Sequence, residues 1–324
     1  MHKWGIIGPG KIAHVFAEAV ANEGYSEIRA VASRDVNRGK EFAQKHNIPI
    51  VYDSYQSLIE DPLIDIVYVA TPHSFHERQV ISCLENKKAV LCEKPMTVNL
   101  DSALRMIGSS RKNNTFLMEA MWTRFMPATL KVMELIKEGQ IGEVKYVHGD
   151  FGDSFPFDQS SRVYDLKLGA GSILDIGIYP LFLSLLLLGK PDSIKAVGHL
   201  AVTGADDLVS AITYYKKGCI GSFMSTTVMK TPTTAEIIGT GGVITLHPPW
   251  YKTKSLSLAK IDKPTQVLNV PFDGNGFEFQ IHEVLTCMDK GVIESSMMSH
   301  DFTLLLSETM EEICKQCGVS YTPQ

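Results

Sequence analysis

Short, unbroken apolar runs alternate with amphipathic stretches of helical length along the first third of the chain. The runs at 3–7, 28–33, 66–70, 89–92 and 115–119 predict strands. Runs without polar alternation are what parallel strands covered on both faces show. Between them, 12–22, 36–46, 75–86 and 100–112 read as amphipathic helices. Asp35 and Asn99 stand at two of the helix starts, where a short polar side chain satisfies an otherwise orphaned backbone N–H. Such βα alternation predicts a doubly wound α/β sheet, a dinucleotide-binding Rossmann domain over 1–120.

The rhythm changes after about residue 120. A helix at 128–138 ends at Gly139, a strand follows at 143–151, then a polar, glycine-containing loop and a second helix at 171–188. Strands dominate from there, at 194–202, 208–215, 219–227, 234–239, 243–246 and 255–258. Lys217-Gly218 and Gly241-Gly242 are hairpin turn signals. Helices at 277–288 and 301–316 close the chain. The pattern predicts an α+β domain over 121–324, carrying a large, mostly antiparallel sheet for substrate binding and dimerisation. Neither an internal repeat nor a low-complexity linker interrupts it.

Composition narrows the class. A chain of 324 residues that is 44% hydrophobic and 21% charged can bury two sizeable cores. The formal net charge of −5 argues against nucleic acid as a partner. The most apolar run, 181–188, is far shorter than the ~20 residues of a spanning helix, so no membrane association is expected. The chain opens directly on a strand pattern, with no signal peptide, which makes the cytoplasm the expected compartment. The six cysteines have no framework spacing and are expected reduced; Cys314 and Cys317 form a lone CxxC in a helical stretch. No HExxH occurs, and His73 and His76 have no evident third ligand, so no metal is expected.

The string Gly8-Pro9-Gly10-Lys11-Ile12-Ala13 places GxGxxA between the first strand and first helix. Gly8 allows the tight turn, Gly10 allows close backbone approach to a pyrophosphate, and Ala13 lets the helix pack near the strand. Lys11 and Ile12 open the helix, whose N-terminus offers N–H groups and a positive dipole end to the anion. The second strand ends Ala32-Ser33-Arg34, with Asp35 and Arg38 close behind. Ser33 stands where an NAD site keeps an acid for the ribose 2′-hydroxyl, and Arg34 is placed to meet a 2′-phosphate. NADP is therefore the expected cofactor, with NAD the alternative.

Two more strings fall at the predicted carboxyl ends of parallel strands, where ligands bind in open α/β sheets. One is Thr71-Pro72-His73-Ser74-Phe75-His76 and the other Cys92-Glu93-Lys94-Pro95, with Thr71, Pro72 and Lys94 as cofactor-side candidates. A lysine held by the following proline is a fixed cation able to polarise a carbonyl or stabilise an alkoxide. A third string, Gly169 to Pro180, sets Asp175 and Tyr179 four residues apart on a predicted helix, hence on one face.

Together these strings resemble the glucose–fructose oxidoreductase, inositol dehydrogenase and rhizopine-catabolism (Gfo/Idh/MocA) family over essentially the whole chain. The string Glu119-Ala120-Met121-Trp122-Thr123-Arg124-Phe125 and the Asp-x-Gly-x-Tyr at Asp175 are most similar to the dimeric dihydrodiol dehydrogenases and NADP-dependent D-xylose dehydrogenases. Gly276-Phe277-Glu278 and the closing Gly318-Val319-Ser320-Tyr321 belong to the same likeness. Many inositol-dehydrogenase-like members carry histidine where this chain has Tyr179, which favours the diol and aldose group. The resemblance implies hydride transfer between nicotinamide and a secondary alcohol or carbonyl of a sugar, polyol or trans-dihydrodiol. It makes Lys94 the cation beside the nicotinamide, Tyr179 the proton donor or acceptor, and Asp175 an orienting acid. Trp122, Arg124, Phe125 and Tyr179 would contact substrate, and His76 and Glu93 would shape the nicotinamide pocket. A nearby Lys94 cation would favour the phenolate of Tyr179, whose free value is near ~10.

Rival readings are a catalytically silent NADP or sugar sensor, and a glycosidase using tightly held NAD. Phe155, Phe157, Arg162 and Tyr164 lie in a loop and are further pocket candidates. The strands from 194 to 258 alternate only partly, with Ile220, Phe223 and Met224 among them; a sheet-face homodimer is expected, as the resemblance also implies.

Overall fold

The computed structural model describes residues 1–321. Contacts divide the chain into two compact units, one of 1–122 with 273–304 and one of 123–272 with 305 onward. The division is not the linear one at residue 120, because the chain after 272 first rejoins the N-terminal unit.

The first unit starts with β1 (His2–Ile7), α1 (Lys11–Glu23), β2 (Ser26–Ala32), α2 (Val36–His46), β3 (Ile50–Tyr52) and α3 (Tyr55–Glu60). It continues with β4 (Ile66–Val69), α4 (His76–Glu85), β5 (Ala89–Glu93), α5 (Leu100–Asn113) and β6 (Leu117–Ala120). The strands form one parallel sheet in the order β3-β2-β1-β4-β5-β6. Every residue of β4, β5 and β6 is buried, which explains their unbroken apolar runs. Val67, Val69, Val90 and Leu117 pack with Val80, Leu84, Met106 and Ile107 of the covering helices. Asp35 accepts hydrogen bonds from Asn37 N and Arg38 N, and Asn99 from Ser102 N, so both predicted caps form. Sequence order reverses at β1, which lies between β2 and β4; ligands of such sheets bind outside the carboxyl ends at that switch point.

The second unit holds α6 (Pro127–Lys137), β7 (Val144–Gly152), α7 (Ile178–Leu188), β8 (Ser193–Leu200), β9 (Asp206–Tyr215), β10 (Cys219–Thr226) and β11 (Ala235–Gly239). It is completed by β12 (Gly242–Leu246), β13 (Ser255–Lys260) and β14 (Gln266–Asn269). Its eight-stranded sheet runs β14-β13-β12-β11-β7-β10-β9-β8 and is antiparallel except for the β7–β10 pair. A single π-helical turn, Ile173–Gly177, precedes α7. The π turn replaces the plain helix expected over 171–188, so Asp175 sits on a wider turn than Tyr179. The stretch Leu166–Leu188, much longer than its most apolar run 181–188, has a mean hydropathy of 1.9 and the length of a membrane span, and 89% of its most apolar window is buried. A helix apolar all round is what a core position requires.

The chain then adds α8 (Phe277–Asp289) to the first unit, packed on α1, and begins α9 (His300–Gln316) there. The structure adds three elements that the apolar pattern does not announce: β3, α3 and β14. β3 has three half-buried residues and β14 is largely exposed, so neither carries a continuous apolar run.

Phe16 of α1 joins helix to sheet, stacked on Tyr68 at 3.8 Å and edge-on to Trp4 at 5.0 Å. All three rings are fully buried or nearly so. Phe16→Ala should therefore destabilise the protein by about 3–5 kcal/mol, read as a lower urea midpoint.

Candidate active site

β1 ends beside β4, with Ala70 N donating to Ile7 O at 2.9 Å and Gly8 N donating to Ala32 O at 3.2 Å. Gly8 has φ +92°, and a Cβ there would stand 3.0 Å from Ala70 O. The turn is therefore open to glycine alone. Gly10 caps α1 in extended conformation with no side-chain bond, and a Cβ there would meet nothing closer than Ala70 O at 3.9 Å. That open space over an uncapped helix N-terminus, with Lys11 exposed and Ile12 half-buried behind it, fits a pyrophosphate. Ala13 is fully buried.

Ser33 lies just past β2, buried, its hydroxyl accepting Asp35 N at 3.2 Å. The Asp35 carboxylate is taken up capping α2. Arg34 and Arg38 are both exposed, and the Arg34 guanidinium lies 5.5 Å over the Phe75 ring. The end of β2 thus presents a guanidinium on an aromatic support, while its one acid serves the helix.

The strings after β4 and β5 are tied together by His76. This imidazole is fully buried, with Nε2 donating to Thr71 O at 2.8 Å and Nδ1 3.1 Å from Pro95 O. Burial pushes its pKa down, against raising contacts from the carbonyls, and the Lys94 charge lowers it further. His76 is thus a neutral strut between two loops. Thr71 donates its hydroxyl to Gln79 at 2.6 Å, and Pro72 precedes a single 3₁₀ turn. Glu93 is buried and accepts the Tyr68 hydroxyl and, at 3.1 Å, Lys94 N. Lys94 is half-buried, and its peptide bond to Pro95 is cis. Trp122 is buried and packs on Phe277 of α8 at 5.0 Å between centroids.

In the second unit Asp175 is paired with Arg162 at 2.9 Å, Arg162 itself being about half exposed. Tyr179, 7% exposed, belongs to an aromatic cluster with Phe151 at 5.5 Å and Tyr251 at 5.3 Å. Tyr251 stacks on Phe151 at 4.6 Å. Burial, then the neighbouring Tyr179 and Asp153, push the Tyr251 hydroxyl up to about 12, so it remains a donor. Arg124 and Phe125 are buried. Of the loop candidates, Phe157 is exposed, while Tyr164 is buried and donates to Phe155 O at 3.3 Å. Sequence reasoning passed over Phe151 and Tyr251. The aromatic pair Trp250-Tyr251 after Pro248-Pro249 is the signal that could have found the second. Burial pushes the Cys314 thiol well up and the Cys317 thiol to about 11. Among the described residues no three His, Cys, Asp or Glu side chains form a metal-sized group.

Comparison with known proteins matches both halves. Residues 2–121 fit the Gfo/Idh/MocA model described as an oxidoreductase family with an NAD-binding Rossmann fold, and 129–245 the Gfo/Idh/MocA C-terminal domain. Trans-1,2-dihydrobenzene-1,2-diol dehydrogenase of Mus musculus is 37% identical over 98% of each chain. A 3-ketoreductase from Actinomadura kijaniata, in complex with NADP and TDP-benzene, shares the fold at a TM-score of 0.88, with 23% identity over 99% of each chain. A levoglucosan dehydrogenase in complex with NADH and L-sorbose does so at 0.89, with 20% identity over 97% of this chain and 96% of that one.

The two glycines should separate experimentally. Gly8→Ala strains a positive φ against Ala70 and should lower both thermal stability and NADPH affinity. Gly10→Ala adds a methyl only to open space; it should leave the melting temperature unchanged and weaken NADPH binding about tenfold, roughly 1.4 kcal/mol by calorimetry.

Proposed function

We propose that this chain, which belongs to the Gfo/Idh/MocA oxidoreductase family, is an NADP-preferring dehydrogenase of trans-dihydrodiols, with aldoses such as D-xylose and polyols as the related substrate class. The observation that carries the reading is the likeness to trans-1,2-dihydrobenzene-1,2-diol dehydrogenase over 98% of both chains. The exposed Arg34 guanidinium beside a helix-capping Asp35 supports NADP over NAD. Bound nicotinamide supplies or accepts the hydride. Gly8, Gly10, Lys11 and Ile12 hold the pyrophosphate, and Ser33, Arg34 and Arg38 the adenosine phosphate. Thr71, Pro72, His76 and Glu93 shape the nicotinamide end.

Lys94 places a cation near the reacting oxygen. Tyr179 exchanges the hydroxyl proton, and Asp175 orients the substrate hydroxyl. Trp122, Arg124 and Phe125 supply apolar and polar substrate contacts, and the Phe151–Tyr179–Tyr251 cluster suits a flat ring or the carbon face of a sugar.

The protein acts as a homodimer through the open face of the eight-stranded sheet. Ile212 and Tyr214 on β9, Ile220 on β10 and Val197 on β8 are exposed there, and Tyr214 pairs directly with Ile220 across the strands. An apolar patch of this kind marks an association surface. Its six cysteines are buried free thiols, in keeping with a reducing compartment, the cytoplasm.

NADPH should bind more tightly than NADH, and Arg34→Ala should remove about 1.5–3 kcal/mol of NADPH affinity while leaving NADH binding unchanged. Equal binding of both cofactors to the wild type would refute the NADP assignment. Lys94→Ala and Tyr179→Phe should each lower kcat for trans-1,2-dihydrobenzene-1,2-diol by roughly 10²–10⁴ with cofactor binding retained. In light scattering, Ile212→Glu with Ile220→Glu should convert a dimer to monomer; a monomeric wild type would refute the assembly.

A further inference from the structure

A second buried carboxyl lies one strand away from the Glu93-Lys94-Pro95 segment, and nothing in the reaction described so far uses it. Glu119, in β6, is 2% exposed. Its Oε1 accepts Met96 N at 2.8 Å and its Oε2 accepts the Thr303 hydroxyl at 3.0 Å. The side chain therefore joins the turn just after Lys94 to the first turn of α9. β5 and β6 are paired with Glu93 opposite Ala120 and Cys92 opposite Glu119, so the two glutamates sit on adjacent strands, one residue out of step. Both carboxyls are buried, and the charges of Lys94 and Glu93 act on Glu119, in surroundings where charges act strongly on one another.

Several titratable groups around Glu119 are held neutral by burial or engaged in hydrogen bonds. On β5 the Cys92 thiol is pushed well up by burial, and by Glu119 and Glu93. The His76 imidazole of α4 and the His300 imidazole of α9 are both pushed down by burial. Tyr68 of β4 donates to Glu93. Burial raises the Glu119 carboxyl to about 7; Met96 N–H, the Thr303 hydroxyl and the Lys94 charge act to lower it, and Glu93 to raise it. Below that value Glu119 is neutral, and above it a carboxylate.

We propose that Glu119 is a positioning residue for Lys94: it holds the turn that presents the lysine, and by losing its proton it weakens the field the lysine directs at the substrate oxygen. The proposal rests on the assignment of Lys94 as the catalytic cation. With Glu119 neutral, the ammonium stabilises the developing alkoxide fully. With Glu119 ionised, a second negative charge opposes that stabilisation, and turnover falls relative to a protein that lacks the charge.

The test is the kcat–pH profile for oxidation of trans-1,2-dihydrobenzene-1,2-diol with NADP, in wild type, E119Q, T303V and K94A. Glutamine keeps an acceptor for Met96 N and cannot ionise. The ratio of E119Q to wild-type kcat should rise from near one at about pH 6 to roughly ten at about pH 8.5, a factor equivalent to about 1.4 kcal/mol. NADP affinity and melting temperature should match the wild type. T303V removes a donor to the charged form, so the inflection of its profile should move to higher pH. A purely structural role predicts instead an E119Q profile parallel to the wild type at every pH, which would overturn the proposal while K94A remains inactive. Undiminished turnover in K94A would overturn the lysine assignment itself and the proposal with it.

Discussion

The chain leaves β5 through Glu93, Lys94, Pro95 and Met96, and this short crossing is fastened at several points at once. Glu93 takes the Tyr68 hydroxyl from β4, Glu119 takes Met96 N from β6, and His76 of α4 reaches Pro95 O. Each tie comes from a different element. They converge because a parallel sheet places all its carboxyl ends on one edge, the edge that also carries the Gly8 turn. Buried carboxyls are costly unless their lone pairs are met by donors; here those donors are the backbone and hydroxyl groups that define the segment. The solvation demand of two glutamates and the placement of one lysine are met by the same bonds.

The cofactor end of this unit depends on a different economy, the removal of side chains. Gly8 is needed for its backbone, which a Cβ would drive against Ala70, and Gly10 for the space above it. The nearby acid, Asp35, is used up by the helix it caps, while the Arg34 guanidinium lies over the Phe75 ring. In the second unit, Asp175 is held by Arg162, and Tyr179 is packed among aromatic rings. A phenol so packed has few orientations open to it.

Much of this was legible in the sequence because burial on both faces writes itself as uninterrupted apolar runs. β4 and β5 are of that kind, while the GxGxxA turn was legible through its glycines. β3 and β14 were not legible, since three half-buried residues and an exposed edge leave no periodic mark. The split of the chain into units was misread because α8 follows the second sheet in sequence yet packs on α1. The lysine was visible through its motif, and so were the acid and the phenol. Arg162 was named without a partner, because a loop's path is not encoded in spacing. Tyr251 and the buried role of Glu119 escaped for the same reason: their meaning lies in neighbours more than twenty residues away.

Hydride transfer between a nicotinamide cofactor and a diol or sugar carbon is the step that isotope transfer reads directly. Purified protein would be incubated with NADPH deuterated at nicotinamide C4 and a panel of aldoses and of ketones derived from dihydrodiols, and the products examined by mass spectrometry. One deuterium is expected on the former carbonyl carbon of a product, from one face of the nicotinamide only, with the rate of labelling cut about a hundredfold or more by Lys94→Ala. NADPH that binds tightly yet delivers no label to any of these carbonyls would contradict hydride transfer by this protein.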